Sequence, residues 1–138
     1  MPRLPLLFVT TAAACLLLGT DMGIAMGVAH DFQYAPAHAH LNLLGWASLA
    51  LMGLTYQAWP ALAAQRGLAV AQYGLSAGAA LAFPCGIYLS IAQGQPGLAI
   101  AASLVWLAGV LLFLARLVLL LLRRPAAMPG AAMPLPAE

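Results

Sequence analysis

Four almost uncharged apolar stretches, 5–28, 38–59, 68–91 and 97–122, consume most of this 138-residue chain and leave it few ways to fold. Each reaches the roughly 20 apolar residues that a helix needs to cross a bilayer. The connections between them are short, so neighbouring helices are expected to run antiparallel. The expected fold is therefore all-α, an integral-membrane four-helix up-down bundle over 1–124. A Pro/Ala tail over 125–138 is read as disordered and cytoplasmic. Composition agrees: 64% hydrophobic residues, 6% charged residues and a mean hydropathy of +0.98 leave no room for a soluble domain. Nucleotide-binding loops, nucleophile triads and a basic nucleic-acid surface are all absent from the sequence.

The arginines orient the bundle. Arg3 precedes the first span, Arg66 lies between the second and third, and Arg116, Arg123 and Arg124 close the fourth. Basic residues in short loops stay in the cytoplasm. Both termini are thus expected on the cytoplasmic side of a bacterial inner membrane, with segment 30–38 on the periplasmic side. Arg116 falls inside the last apolar run and is expected to snorkel to the interface. Tyr56, Trp59 and Tyr73 would form the inner aromatic belt, and Phe32, Tyr34 and Tyr88 the outer one. Trp46 and Trp106 lie within spans and are expected to pack against neighbours or a large planar ligand. A signal-peptide reading of the first run fails because the apolar stretch continues to Val28, and Ala12 stands where a lipoprotein site has leucine. Cys15 and Cys85 fall at different depths, which argues against a disulfide and leaves both as inert core residues.

Polar groups concentrate at one place, His38-Ala39-His40-Leu41-Asn42-Leu43-Leu44-Gly45-Trp46. Lipid offers an imidazole no partner, so ionisable side chains at the edge of a span usually face a bundle interior or a cofactor. Residues two apart on a helix point about 200° from each other. His38 and His40 would accordingly serve separate sites on opposite faces, unless a non-helical start near Pro36 lets them share one metal. Upstream, Met22, Met26 and His30 repeat every four residues and form a stripe leading toward the histidines. Thioether and imidazole suit copper, and either can be an axial haem ligand. Simple core packing is the plainer use of the methionines, and an interfacial, solvated position the plainer one for His30. Gly19, Gly23 and Gly27 share the rhythm, as do Gly74 and Gly78 in the third span. Close helix packing explains such ridges, and a glycine face also admits a flat macrocycle. Asp21 lies about 13 Å from the His30 end, near mid-membrane. It is expected to be protonated and bonded to Ser48, Thr55 or a carbonyl, or to belong to a proton path.

His38-Ala39-His40 followed by Gly45-Trp46 resembles the histidine-x-histidine helix of the catalytic subunit of haem-copper oxidases, especially the C-type cytochrome c oxidases and the related nitric oxide reductases. In that family the two histidines ligate two haems on opposite helix faces. The resemblance implies that His38 corresponds to the ligand of the high-spin haem and His40 to an axial ligand of the low-spin haem. It covers about ten residues and one helix, with Leu41-Asn42-Leu43-Leu44 in place of the family's small residues. The family's remaining helices and active-site histidines have no counterpart here. The chain also looks like small bacterial four-span proteins with the same signature that are described as oxidase-subunit-like.

Three functions follow as expectations. The first is a haem b protein in electron transfer or gas sensing, using His38 and His40, with His30, Met26, Met22 or a neighbouring protomer completing the coordination. The second is a copper-binding or assembly factor for a respiratory oxidase, using Met22, Met26, His30, His38 and His40. The third is a small structural subunit of a larger respiratory complex, its histidines capping helices and meeting water. Beyond the lipid bilayer, the expected partners are a second copy of the chain or such a complex, and no nucleic acid. No complete catalytic ligand set is expected in the isolated chain. Asp21, Asn42 and Trp46 complete the candidate site.

Overall fold

The structure, a computed structural model, describes residues 3–123. Of these, 88% are helical and none is strand, as the all-α expectation requires. Helix α1 spans Leu4–Ala29, and α2 (Ala35–His40), a π-helical segment (Leu41–Ser48) and α3 (Leu49–Ala58) then run on without a break. A short 3₁₀ turn (Pro60–Ala63) leads to α4 (Arg66–Gln93) and α5 (Gly97–Leu121). Arg124 and the tail over 125–138 lie outside the described residues.

Helices α1, α4 and α5 are long and apolar enough to cross a membrane by length and composition. Their ends agree with the expected spans 5–28, 68–91 and 97–122 to within two residues. The expected span 38–59 coincides with the α2, π and α3 run, but three windings share its length and no one of them is long enough to cross. Leu17, Ile24, Leu104, Leu111 and Leu119 are exposed on the helix surfaces, which is consistent with contact with lipid.

Local chemistry sets the boundaries. Pro5, Pro36 and Pro60 each stand in the first turn of their helix, where a missing N–H costs nothing. α1 ends on His30 in the left-handed conformation (φ 53°), with the His30 N–H on the Gly27 carbonyl and the Asp31 N–H on that of Met26. α4 ends the same way on Gly94 (φ 67°), where glycine adopts that conformation without strain.

The core is densest at the end where α1 begins. Phe8 stacks on Tyr56 at 5.4 Å between ring centroids and meets Tyr73 edge-on at 4.9 Å. The Tyr73 hydroxyl shares a 2.8 Å hydrogen bond with Thr11. Tyr56 is buried, so Tyr56 and Tyr73 serve as core residues rather than a belt. Arg116 also departs from expectation. Its side chain turns inward, is buried, and donates from Nη1 to the Tyr56 hydroxyl at 2.6 Å. A phenol on a packed neighbour supplies the acceptor and the aromatic face that snorkelling would have sought outside. Trp46 and Trp106 pack against the core, as expected.

Candidate functional site

The polar cluster sits at the opposite end of α1, where α2 and the π segment cross it. Gly19 and Gly23 present a groove in α1. A side chain at Gly19 would collide with the Asn42 amide, and a Cβ at Gly23 would stand 3.0 Å from His38 Cε1. One turn deeper, a Cβ at Gly45 would lie 2.7 Å from Cys15 Sγ. The small residues are therefore used for close packing, as the ridge predicts, but only in part. Gly27, Gly74 and Gly78 have nothing within 4 Å.

In that groove the His38 ring is half-buried, and its Nδ1 donates to the Gly19 carbonyl at 2.9 Å. A carbonyl can only accept, so the proton is on Nδ1 and the lone pair of the neutral ring is on Nε2. Asn42 Nδ2 lies 3.4 Å from the same Nδ1, where two donors would face each other, and bonds the His38 carbonyl at 3.0 Å instead. His40 repeats the arrangement on another face. Its Nδ1 donates to the Pro36 carbonyl at 2.7 Å, and its ring meets Phe83 of α4 edge-on at 4.8 Å. The two imidazoles thus diverge, one toward α1 and one toward α4, as their two-residue spacing on a helix predicts.

The π winding begins directly after His40. π segments are rare and often mark functional sites. Here Ser48 donates to the Leu43 carbonyl five residues back at 2.8 Å, satisfying an acceptor in the widened turn. On α4, Pro84 has no N–H to give the Ala80 carbonyl, so one rung is missing beside Phe83.

The other candidates separate from this pair. His30 caps α1, is exposed, and bonds only the nearby Val28 carbonyl at 3.3 Å. Met26 is buried in the helix contact. Met22 lines an apolar cleft of about 370 Å³ with Ala37, Pro84, Cys85, Tyr88 and Leu89. Cys85 is exposed, not a core residue, and both cysteines are free. Asp21 is exposed, while Ser48 and Thr55 bond backbone carbonyls of their own segment, so the expected hydroxyl partners do not reach it. Among the described residues no three His, Cys, Asp or Glu side chains gather in a metal-binding group. Phe83 and Cys85 were not legible as site residues in the sequence, because only the α2–α4 packing brings them near His40 and Met22.

In the turn that follows α1, Asp31 accepts from the Gln33 backbone and side chain at 3.1 and 2.8 Å. Tyr34 packs on Tyr88 at 4.9 Å. Desolvation, and secondarily Tyr88, pushes the Tyr34 phenol above its ordinary pKa. No family model, curated protein or solved structure matches the chain.

Proposed function

We propose that this chain is a four-span integral membrane protein of a bacterial inner membrane, binding haem b near its periplasmic face in electron transfer or gas sensing. The observation that supports it is the state of the two imidazoles. Each is oriented by an Nδ1–H bond to a backbone carbonyl, Gly19 for His38 and Pro36 for His40, so each keeps Nε2 free as a donor atom. Holding the second ring nitrogen in this way fixes the tautomer and raises ligand basicity. When bound, haem supplies one-electron or diatomic-gas chemistry. The chain's part is to orient those rings and to admit His38 through the missing side chain of Gly23.

The cleft beside Met22 lies at the low end of the roughly 300–1,000 Å³ of ligand pockets. Neither imidazole lines it, so a macrocycle held by His38 or His40 would face lipid, a second copy, or a larger respiratory complex instead. The divergent imidazoles would each hold a group separately rather than share one metal. With His30 committed to a cap, the three histidines do not form the ligand set of an oxygen-reducing centre, and the reading is of binding rather than turnover. Arg3, Arg66 and Arg123 lie with the aromatic core at the end away from the histidines, which supports cytoplasmic termini.

A second reading rests on one observation, that Met22 and Cys85 line the same cleft. Thioether and thiolate favour copper(I).

The test is a reduced-minus-oxidised optical spectrum of detergent-purified protein made with ample haem and copper. A Soret peak and sharp α band that disappear in His38→Ala or His40→Ala are expected. A featureless spectrum from folded protein refutes the haem reading. Copper that is then lost in the Met22→Ala, Cys85→Ser double variant supports the second.

A further inference from the structure

The far end of the structure carries a buried charge with no counterion among the described residues. Arg116 is 7% exposed, and its hydrogen bond among the described residues is the one to the neutral Tyr56 hydroxyl. The Tyr56 ring lies 5.5 Å from the guanidinium carbon, adding attraction but no negative charge. Asp21 and Asp31 are the only acidic residues described. Asp21 is thirteen residues beyond Phe8, the residue that stacks on Tyr56, or about 20 Å along α1. The remaining N–H groups of the guanidinium are not sealed in the core, so an acceptor can still reach them.

The fold provides a place for one. A cavity of about 30 Å³ opens between the 3₁₀ turn and the end of α5, lined by Ala61, Leu62, Gln65, Arg116, Leu120 and Arg123 among others. Gln65 is also the N-cap of α4 and makes no side-chain cap bond, so the first N–H groups of this 28-residue helix are uncapped by it. Two guanidiniums then meet at one small space beside the N-cap residue of α4, and both favour an anion.

We propose that this cavity is a phosphate site. Some phosphate oxygens would enter toward Arg116, and the others would stay at the open side, against Arg123. That shape suits a phosphate carried on a larger molecule, and the headgroup of an anionic phospholipid in the cytoplasmic leaflet has this chemistry. Free inorganic phosphate has it as well. The lipid source rests on the membrane insertion proposed above; the inorganic source and the histidine site do not depend on each other.

The full chain in neutral detergent would be titrated with phosphatidylglycerol, phosphatidylcholine or inorganic phosphate while its melting is followed. Saturable stabilisation by phosphatidylglycerol and not by phosphatidylcholine is expected. Arg123→Gln, an exposed change, should raise the apparent dissociation constant about tenfold, as for loss of one charge-assisted hydrogen bond. Arg116→Met should abolish the response. Saturable stabilisation by inorganic phosphate alone, with the same sensitivity to Arg123→Gln, supports the site and assigns it to a soluble anion. Overturning results are no response to either phosphate, or a lipid response unchanged in Arg123→Gln. Because Arg123 is exposed, its variant remains informative if Arg116→Met does not fold.

Discussion

The groove that holds His38 can be tested without reference to any cofactor, by putting the same methyl group at three points along α1. Alanine for glycine in a helix gains about 1 kcal/mol of intrinsic propensity, and this gain is common to all three sites. At Gly27 nothing lies within 4 Å, so Gly27→Ala should collect it and stabilise by up to about 1 kcal/mol. At Gly23 the new Cβ would stand 3.0 Å from His38 Cε1, against about 3.5–4.0 Å for an easy carbon contact. The ring must retreat by roughly half an ångström, which weakens the 2.9 Å bond to the Gly19 carbonyl and costs about 1 kcal/mol. Gly23→Ala should therefore be near neutral in stability. At Gly19 the methyl would collide with the Asn42 amide. Overpacking costs about 1–3 kcal/mol, and displacing Asn42 from the His38 carbonyl about 1 more. After the propensity gain, Gly19→Ala should lose about 1–3 kcal/mol. Reversible unfolding from detergent micelles by sodium dodecyl sulfate, followed by tryptophan fluorescence, resolves such differences. If Gly19→Ala proves as stable as Gly27→Ala, α1 does not approach the π segment as described.

Tyr56→Phe should destabilise by about 1–3 kcal/mol in the same assay, since it removes the acceptor of a buried guanidinium while keeping the ring; an unchanged midpoint would mean that Arg116 leaves the core. His30→Gly should be neutral or stabilising by about 1 kcal/mol, because glycine carries no penalty at the left-handed cap. Any haem spectrum should survive that substitution, and losing it would make His30 a ligand. The raised pKa of Tyr34 means that the folded state holds the phenolic proton more tightly than the unfolded chain. Its contribution is complete below the ordinary value of about 10 and is lost as pH rises through the higher folded value. Near-ultraviolet titration should show a late-ionising phenol that disappears in Tyr34→Phe, and identical curves for the two proteins would contradict the Tyr34–Tyr88 packing.

Hydropathy alone was enough to place α1, α4 and α5, because segments this apolar have few alternatives to helix and their ends carry Pro5, Gly94 and Pro96. The divergence of His38 and His40 was legible for the same kind of reason: a spacing of two on a helix sets a fixed angle. What could not be read was anything that depends on which neighbour arrives. Arg116 looked like a residue near enough to the helix end to escape, and only the arrival of Tyr56 from α3 gives it an inward partner. Asp21 looked deep enough to need a hydroxyl. Ser48 and Thr55 were plausible by depth, but each satisfies a carbonyl in its own segment.

The π segment shows the limit most clearly. Nothing in Leu41-Asn42-Leu43-Leu44-Gly45-Trp46-Ala47-Ser48 disfavours an ordinary α-helix except Gly45, and a single glycine costs only about 1 kcal/mol. The wider winding becomes intelligible once α1 is in place. Gly45 must sit against Cys15 with no room for a side chain, while Asn42 must fit over Gly19 and His38 must reach the Gly19 carbonyl. In an α-helix, positions 38, 42 and 45 drift little in direction, and 49, 52 and 56 continue the same stripe. A π stretch adds a residue to each turn. It changes the phase between the upper residues, which carry the imidazoles, and the lower ones, where Leu49, Met52 and Tyr56 are buried. The same run of chain can then aim His38 at α1 and His40 at α4 while its lower half fills the aromatic core, a division of labour that uniform α winding would have to achieve with different residues.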